Sequence, residues 1–133
     1  MCIVSDQEVG CDVEKIEERL ISQVIRCFAE SEQEIAKQSP ENFFRIWTLK
    51  ESILKLSGMG LGIELRSFAV SLNPLSVVQS FIPGKVVLKE YSDFRKEGEG
   101  PRYCCSCACI GGTLPDDMQE VDLASFVSGF AQM

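Results

Sequence analysis

Ser39-Pro40-Glu41-Asn42-Phe43-Phe44-Arg45-Ile46-Trp47-Thr48-Leu49-Lys50-Glu51-Ser52-Ile53-Leu54-Lys55-Leu56-Ser57-Gly58 is the stretch from which the fold can be read. Ser39 carries the side chain of a helix N-cap. Pro40 suits the first turn, where a missing N–H costs nothing. Phe43, Phe44, Trp47, Ile53 and Leu54 supply apolar surface. Gly58 stands where a left-handed C-terminal cap belongs, and Gly60 and Gly62 continue it as a loop. The pattern predicts one long helix between the two caps.

Upstream, Cys2 to Val4 reads as a short strand, Ser5 to Gln7 as a polar turn, and Glu8 to about Glu14 as a second strand. Ile16, Leu20, Val24 and Phe28 then recur at helical spacing, with Ile21 and Ile25 widening the stripe. Ser31-Glu32-Gln33-Glu34 fits a capping box in which Ser31 caps a second helix and Glu34 reaches back. Downstream, Ser67 to Leu72 alternates as a strand does and stops at Asn73-Pro74. Further strands are predicted around Lys85 to Tyr91 and Tyr103 to Ile110, joined by a hairpin loop from Asp93 to Gly100. A short helix is expected from Asp122 to Phe130. The order is two short strands, three helices and an antiparallel three-stranded meander, which is an α+β fold.

The chain has 133 residues, 45% hydrophobic and 25% charged, the size and composition of a single globular domain spanning 1–133. No apolar run is long enough for a transmembrane helix, and the first residues lack the pattern of a secretory signal. Net charge is −7, from 20 acidic and 13 basic residues, which argues against a nucleic-acid binder. Seven cysteines without a secretory signal predict free thiols in the cytoplasm. Histidine is absent, so catalysis by this chain rests on carboxylates, lysine, cysteine or a metal.

Asp12 and Glu14, two apart in a strand, project from one face. Glu51 lies on the long helix, one turn from Trp47 and one turn from Lys55. If that helix packs on the strand, three carboxylates converge, and oxygen ligands of this kind favour magnesium. Spacing alone leaves the alternative open, namely a solvated strand end and an exposed helical glutamate. Glu51 and Lys55 likewise read either as i,i+4 helix support or as part of a phosphate site, and Trp47 reads as core that fixes the helix.

Two stretches carry a family resemblance. Gly10-Cys11-Asp12-Val13-Glu14-Lys15-Ile16 resembles the G-x-D-x-E motif of 4′-phosphopantetheinyl transferases. Phe43 to Leu61, with Trp47, Lys50-Glu51-Ser52, Lys55, Gly58, Gly60 and Leu61, resembles their W-x-x-K-E-(S/A)-x-x-K-x-x-G-x-G-L motif. The tryptophan before Lys50-Glu51 points to the larger, two-lobed class, of which this chain resembles the C-terminal catalytic half. The upstream pseudo-repeat and its serine–histidine–serine segment have no counterpart here.

The resemblance implies Asp12, Glu14 and Glu51 as magnesium ligands, with Glu51 also acting as base on a carrier-protein serine. It implies Lys55 on the phosphates of coenzyme A and Lys50 assisting the transferred phosphate or the leaving group. The implied reaction moves phosphopantetheine from coenzyme A to an acyl or peptidyl carrier protein. Self-association into a homo-oligomer is expected, since the short members of the family place the site between identical subunits. The competing expectation is a binding or assembly module that keeps the fold without turnover.

Two other features have simpler readings. Cys105, Cys107 and Cys109 share one strand face at roughly 6–7 Å spacing, too stretched for one zinc, and are read as small apolar side chains filling that face. The glycines from Gly58 to Gly62 follow a helix instead of opening one, so they form no ordinary phosphate loop.

Overall fold

The computed structural model describes residues 1–18, 21–91 and 100–131. Its long helix, α3, runs Pro40–Ser57 between the predicted caps. Ser39 Oγ accepts from the Asn42 N–H at 3.1 Å. Gly58, at φ 69°, returns its N–H to the Lys55 carbonyl at 3.3 Å. Phe43, Ile46, Leu49, Ile53, Leu54 and Leu56 of this helix are buried.

Against α3 lies a three-stranded antiparallel sheet in the order β1 (Val9–Lys15), β5 (Tyr103–Ile110), β4 (Val86–Tyr91). β1 pairs with β5 from Val9 opposite Cys109 to Lys15 opposite Tyr103. A separate hairpin joins β2 (Ala69–Leu72) to β3 (Leu75–Val78) through Asn73-Pro74. Two shorter helices precede α3: α1 (Ile21–Ile25) and α2 (Glu30–Gln38). The tail helix α4 spans Leu123–Ala131. Among the described residues no helix is long and apolar enough to cross a membrane.

The α+β class and the antiparallel strands follow the sequence, but the grouping differs. β1 takes the third place in the sheet, and the strand ending at Asn73-Pro74 pairs with β3, which the sequence reading missed. Cys2 to Val4 forms no strand. Within the stripe from Ile16 to Phe28 the helix among the described residues is α1, Ile21–Ile25, and the Ile16 N–H is still held by the Arg102 carbonyl beyond the end of β1. The cap of helix α2 lies two residues before the predicted one: Ala29 is the N-cap, and Glu32, not Glu34, reaches back to the Ala29 N–H at 2.9 Å. The expected hairpin loop from Asp93 to Gly100 lies outside the described residues except for Gly100.

Inner and outer faces of the sheet differ. Gly10, Asp12 and Glu14 alternate onto the face that meets α3, together with Cys104, Ser106 and Ala108 of β5. Cys11, Val13, Cys105, Cys107 and Cys109 take the outer face. Cys105, Cys107 and Cys109 are buried there as side-chain filling, and among the described residues no disulfide forms.

Candidate active site

The approach of β1 to α3 depends on Gly10. A Cβ at this position would lie 2.1 Å from the Ser52 carbonyl oxygen and 2.5 Å from the Leu56 nitrogen. Only a residue without a side chain lets the strand cross the helix so closely. The next two inward positions, Asp12 and Glu14, are thereby laid along the same flank of α3.

Glu14 meets Trp47: the indole Nε1–H donates to Glu14 Oε1 at 3.2 Å. Trp47 is half-buried, packing on Phe43 and Phe28 with ring centroids 6.2 Å from each, so its N–H is aimed by the core. Two turns further along, Lys55 Nζ donates to Asp12 Oδ1 at 2.7 Å. Glu51 sits on the turn between them. The structure therefore brings Asp12, Glu14, Glu51 and Lys55 to one locality.

Charge in this locality is unbalanced, with three carboxylates around one ammonium. Burial pushes the Glu14 carboxyl above its ordinary value; the Trp47 N–H opposes that, while the Asp12 charge and hydrogen bond reinforce it. Burial likewise raises Glu51, and the neighbouring Asp12 adds to the effect. The Lys55 ammonium is held charged by its bond to Asp12. Among the described residues the second oxygen of Asp12, Oδ2, is buried without a hydrogen-bond partner. A buried carboxylate oxygen of that kind costs stability unless something positive or hydrogen-bonding meets it.

These residues fit a divalent cation in donor chemistry: all are hard oxygens, and one is a buried atom lacking a partner. Among the described residues, however, no group of three or more such side chains is already spaced to enclose a metal. A preformed cage is not what magnesium requires, since it is commonly bound through one or two carboxylates together with waters and substrate phosphate.

Lys50 is placed elsewhere, and the expectation that it assists phosphate is corrected by its surroundings. Its side chain is fully buried on the opposite flank of α3, with Nζ 2.7 Å from Glu32 Oε1 and 2.5 Å from the Phe68 carbonyl. The ammonium also lies 4.1 Å from the centroid of the Phe68 ring. Burial lowers its pKa while Glu32 works against that shift. Glu32 Oε2 in turn accepts from the Val70 N–H at 2.7 Å. One buried ion pair thus ties α2, α3 and β2 together, a tie that the sequence reading missed.

Two further anchors went unread. Arg45 makes a two-pronged bond to Glu90 of β4, at 2.9 and 2.8 Å. Ser52 Oγ lies 2.7 Å from Ser106 Oγ and donates to the Ser106 carbonyl at 3.1 Å. Ser52 neighbours Glu51, and Ser106 is opposite Asp12 in the ladder, so this contact fixes the floor of the site.

Comparison with known proteins bears on the family of the chain. The sequence model of the 4′-phosphopantetheinyl transferase superfamily matches residues 8–108, a span that holds β1, α3 and all but the last two residues of β5. The chain is 31% identical over 115 residues to 4′-phosphopantetheinyl transferase gsp of Aneurinibacillus migulanus, covering 83% of this chain and 47% of that protein. It is 32% identical over 88 residues to 4′-phosphopantetheinyl transferase Sfp of Bacillus subtilis strain 168, covering 62% of this chain and 39% of that protein. A similar match, 35% over 75 residues, is to 4′-phosphopantetheinyl transferase psf-1 of Bacillus pumilus. The chain spans less than half the length of these curated relatives. With three quarters of its residues inside the matched span, the chain belongs to the 4′-phosphopantetheinyl transferase superfamily.

Proposed function

We propose that this chain carries the magnesium-dependent site that transfers 4′-phosphopantetheine from coenzyme A to a serine of an acyl or peptidyl carrier protein. The observation that carries the reading is the flank of α3 on which Asp12, Glu14 and Glu51 gather around Lys55, with Asp12 Oδ2 buried and unpartnered. Asp12, Glu14 and Glu51 would hold the cation, which when bound neutralises pyrophosphate charge. Lys55 supplies the remaining positive charge to the coenzyme A phosphates, and its half-exposed ammonium is within reach of a ligand arriving from solvent.

In the transfer, the serine oxygen bonds to the β-phosphorus, the bond to 3′,5′-adenosine bisphosphate breaks, and the serine proton leaves to a base. Glu51 is the group assigned to that proton. Trp47 and Ser52 position the helix and strand; neither is assigned a chemical step. Lys50 is assigned a structural role through Glu32.

The test is direct. Purified chain is incubated with coenzyme A, magnesium and an apo carrier protein, and the carrier is weighed. The expected result is a gain equal to the phosphopantetheine arm, lost in a folded Glu51→Gln variant. Calorimetric titration with magnesium alone gives a second readout, expected to weaken in Asp12→Asn. An unchanged carrier mass together with intact magnesium binding would point instead to a binding or assembly module.

A further inference from the structure

The outer face of the sheet carries Cys11 on β1 and Cys105, Cys107 and Cys109 on β5. The register sets Cys11 directly opposite Cys107, and no other rung of either ladder joins two cysteines. Directly opposed residues of an antiparallel pair have Cβ atoms about 4.5–5.5 Å apart, and a disulfide spans about 3.5–4.5 Å, so a small approach of the strands closes the difference. Cys11 adds to the upward push that burial gives the Cys107 thiol, as expected of neighbouring sulfurs. Cys107, itself buried, also lies in the wall of a cleft of about 630 Å³ with Val13, Tyr91, Tyr103, Cys105 and Met118. Cys11 is half-buried.

We propose that Cys11 and Cys107 form a disulfide-exchange pair, a redox modification site on the back of the strand that holds Asp12 and Glu14, with a low-molecular-weight disulfide such as oxidised glutathione as oxidant. Cys11, the more exposed thiol, attacks first. Its sulfur bonds to one sulfur of the small disulfide, whose S–S bond breaks, and the departing thiolate takes up the proton that Cys11 gives up. The Cys107 sulfur then attacks Cys11 Sγ of the mixed disulfide, and the second small thiol leaves with the Cys107 proton. The protein has lost two protons and two electrons, and the small disulfide has become two thiols. Closure is the slower step, because Cys107 must give up a firmly held proton. The bridge locks β1 to β5 at the rung beside Asp12 and Ser106.

The experiment exposes the folded chain to oxidised glutathione, alkylates the remaining thiols after denaturation, and maps the peptides. The expected product is a Cys11–Cys107 cross-linked peptide, with both residues protected from alkylation and Cys104 still alkylated. The cross-link persists in Cys105→Ser and disappears in both Cys11→Ser and Cys107→Ala. Full alkylation of Cys11 and Cys107 after oxidation overturns the proposal, as does a stable glutathione adduct on Cys11 that never closes. A bridge from Cys11 to Cys105 or Cys109 overturns it equally. The wild-type map decides the question even if a variant fails to fold, and it is independent of whether the chain transfers phosphopantetheine.

Discussion

At Gly10 the absent side chain determines the site, because strand backbone rests on helix backbone there. Gly10→Ala should cost about 3 kcal/mol as the strand is forced off α3, read as a lowered urea midpoint. It should also weaken magnesium binding, since Asp12 and Glu14 move with the strand. Lys50 gives the contrasting case. Lys50→Met leaves Glu32 buried with an unbalanced charge and should destabilise by about 3–5 kcal/mol, measured by denaturant unfolding. At residue scale the acidic motif was legible, because alternation along a strand fixes which residues share a face. The role of Lys50 was not. Helical spacing places it one residue from Glu51, and a step of one residue turns a side chain about 100° around the axis. That rotation sends it to the core, where only the tertiary partner Glu32 reveals its purpose.

Among the elements, α3 was readable from end to end because its caps are local chemistry: a serine before a proline, and a glycine free to take φ 69°. Helix α2 was misplaced because local capping rules prefer Ser31. The helix instead starts where Glu32 can serve the Ala29 N–H and Lys50 together. Helix α4 was legible as a helix but not as a surface. Leu123, Phe126, Val127 and Phe130 are all more than half exposed, and Phe126 and Phe130 pack on each other 4.9 Å apart. An apolar helical face of that kind favours association. Phe126→Glu should therefore shift the chain toward smaller species in sedimentation or light scattering, while leaving the unfolding midpoint nearly unchanged.

For the whole molecule, the strand grouping was the part hidden in the sequence, because pairing β1 with β5 joins segments about ninety residues apart and no local signal records that choice. Its consequence is a sheet interior holding thiols. Burial pushes the thiols of Cys104 and Cys107 up to about 12, from an ordinary 9.0. Between those values the unfolded chain releases protons that the folded chain keeps, so the native state binds more protons and stability falls as pH rises. Stability should be fully present below pH 9 and decline progressively toward pH 12; thermal midpoints across that range check it, and a flat profile contradicts it. The Ser52–Ser106 contact has a consequence of another kind. With Ser52 donating to the carbonyl, the hydroxyl of Ser106 is left to donate to Ser52, so the Ser106 proton depends on Ser52 while Ser52 keeps a backbone acceptor of its own. Losing the Ser52 hydroxyl strands that of Ser106 in a dry joint, whereas replacing both with alanine is close to neutral. Over generations the two positions should change as a couple, a covariation that links the helix to the sheet across fifty-four residues of chain.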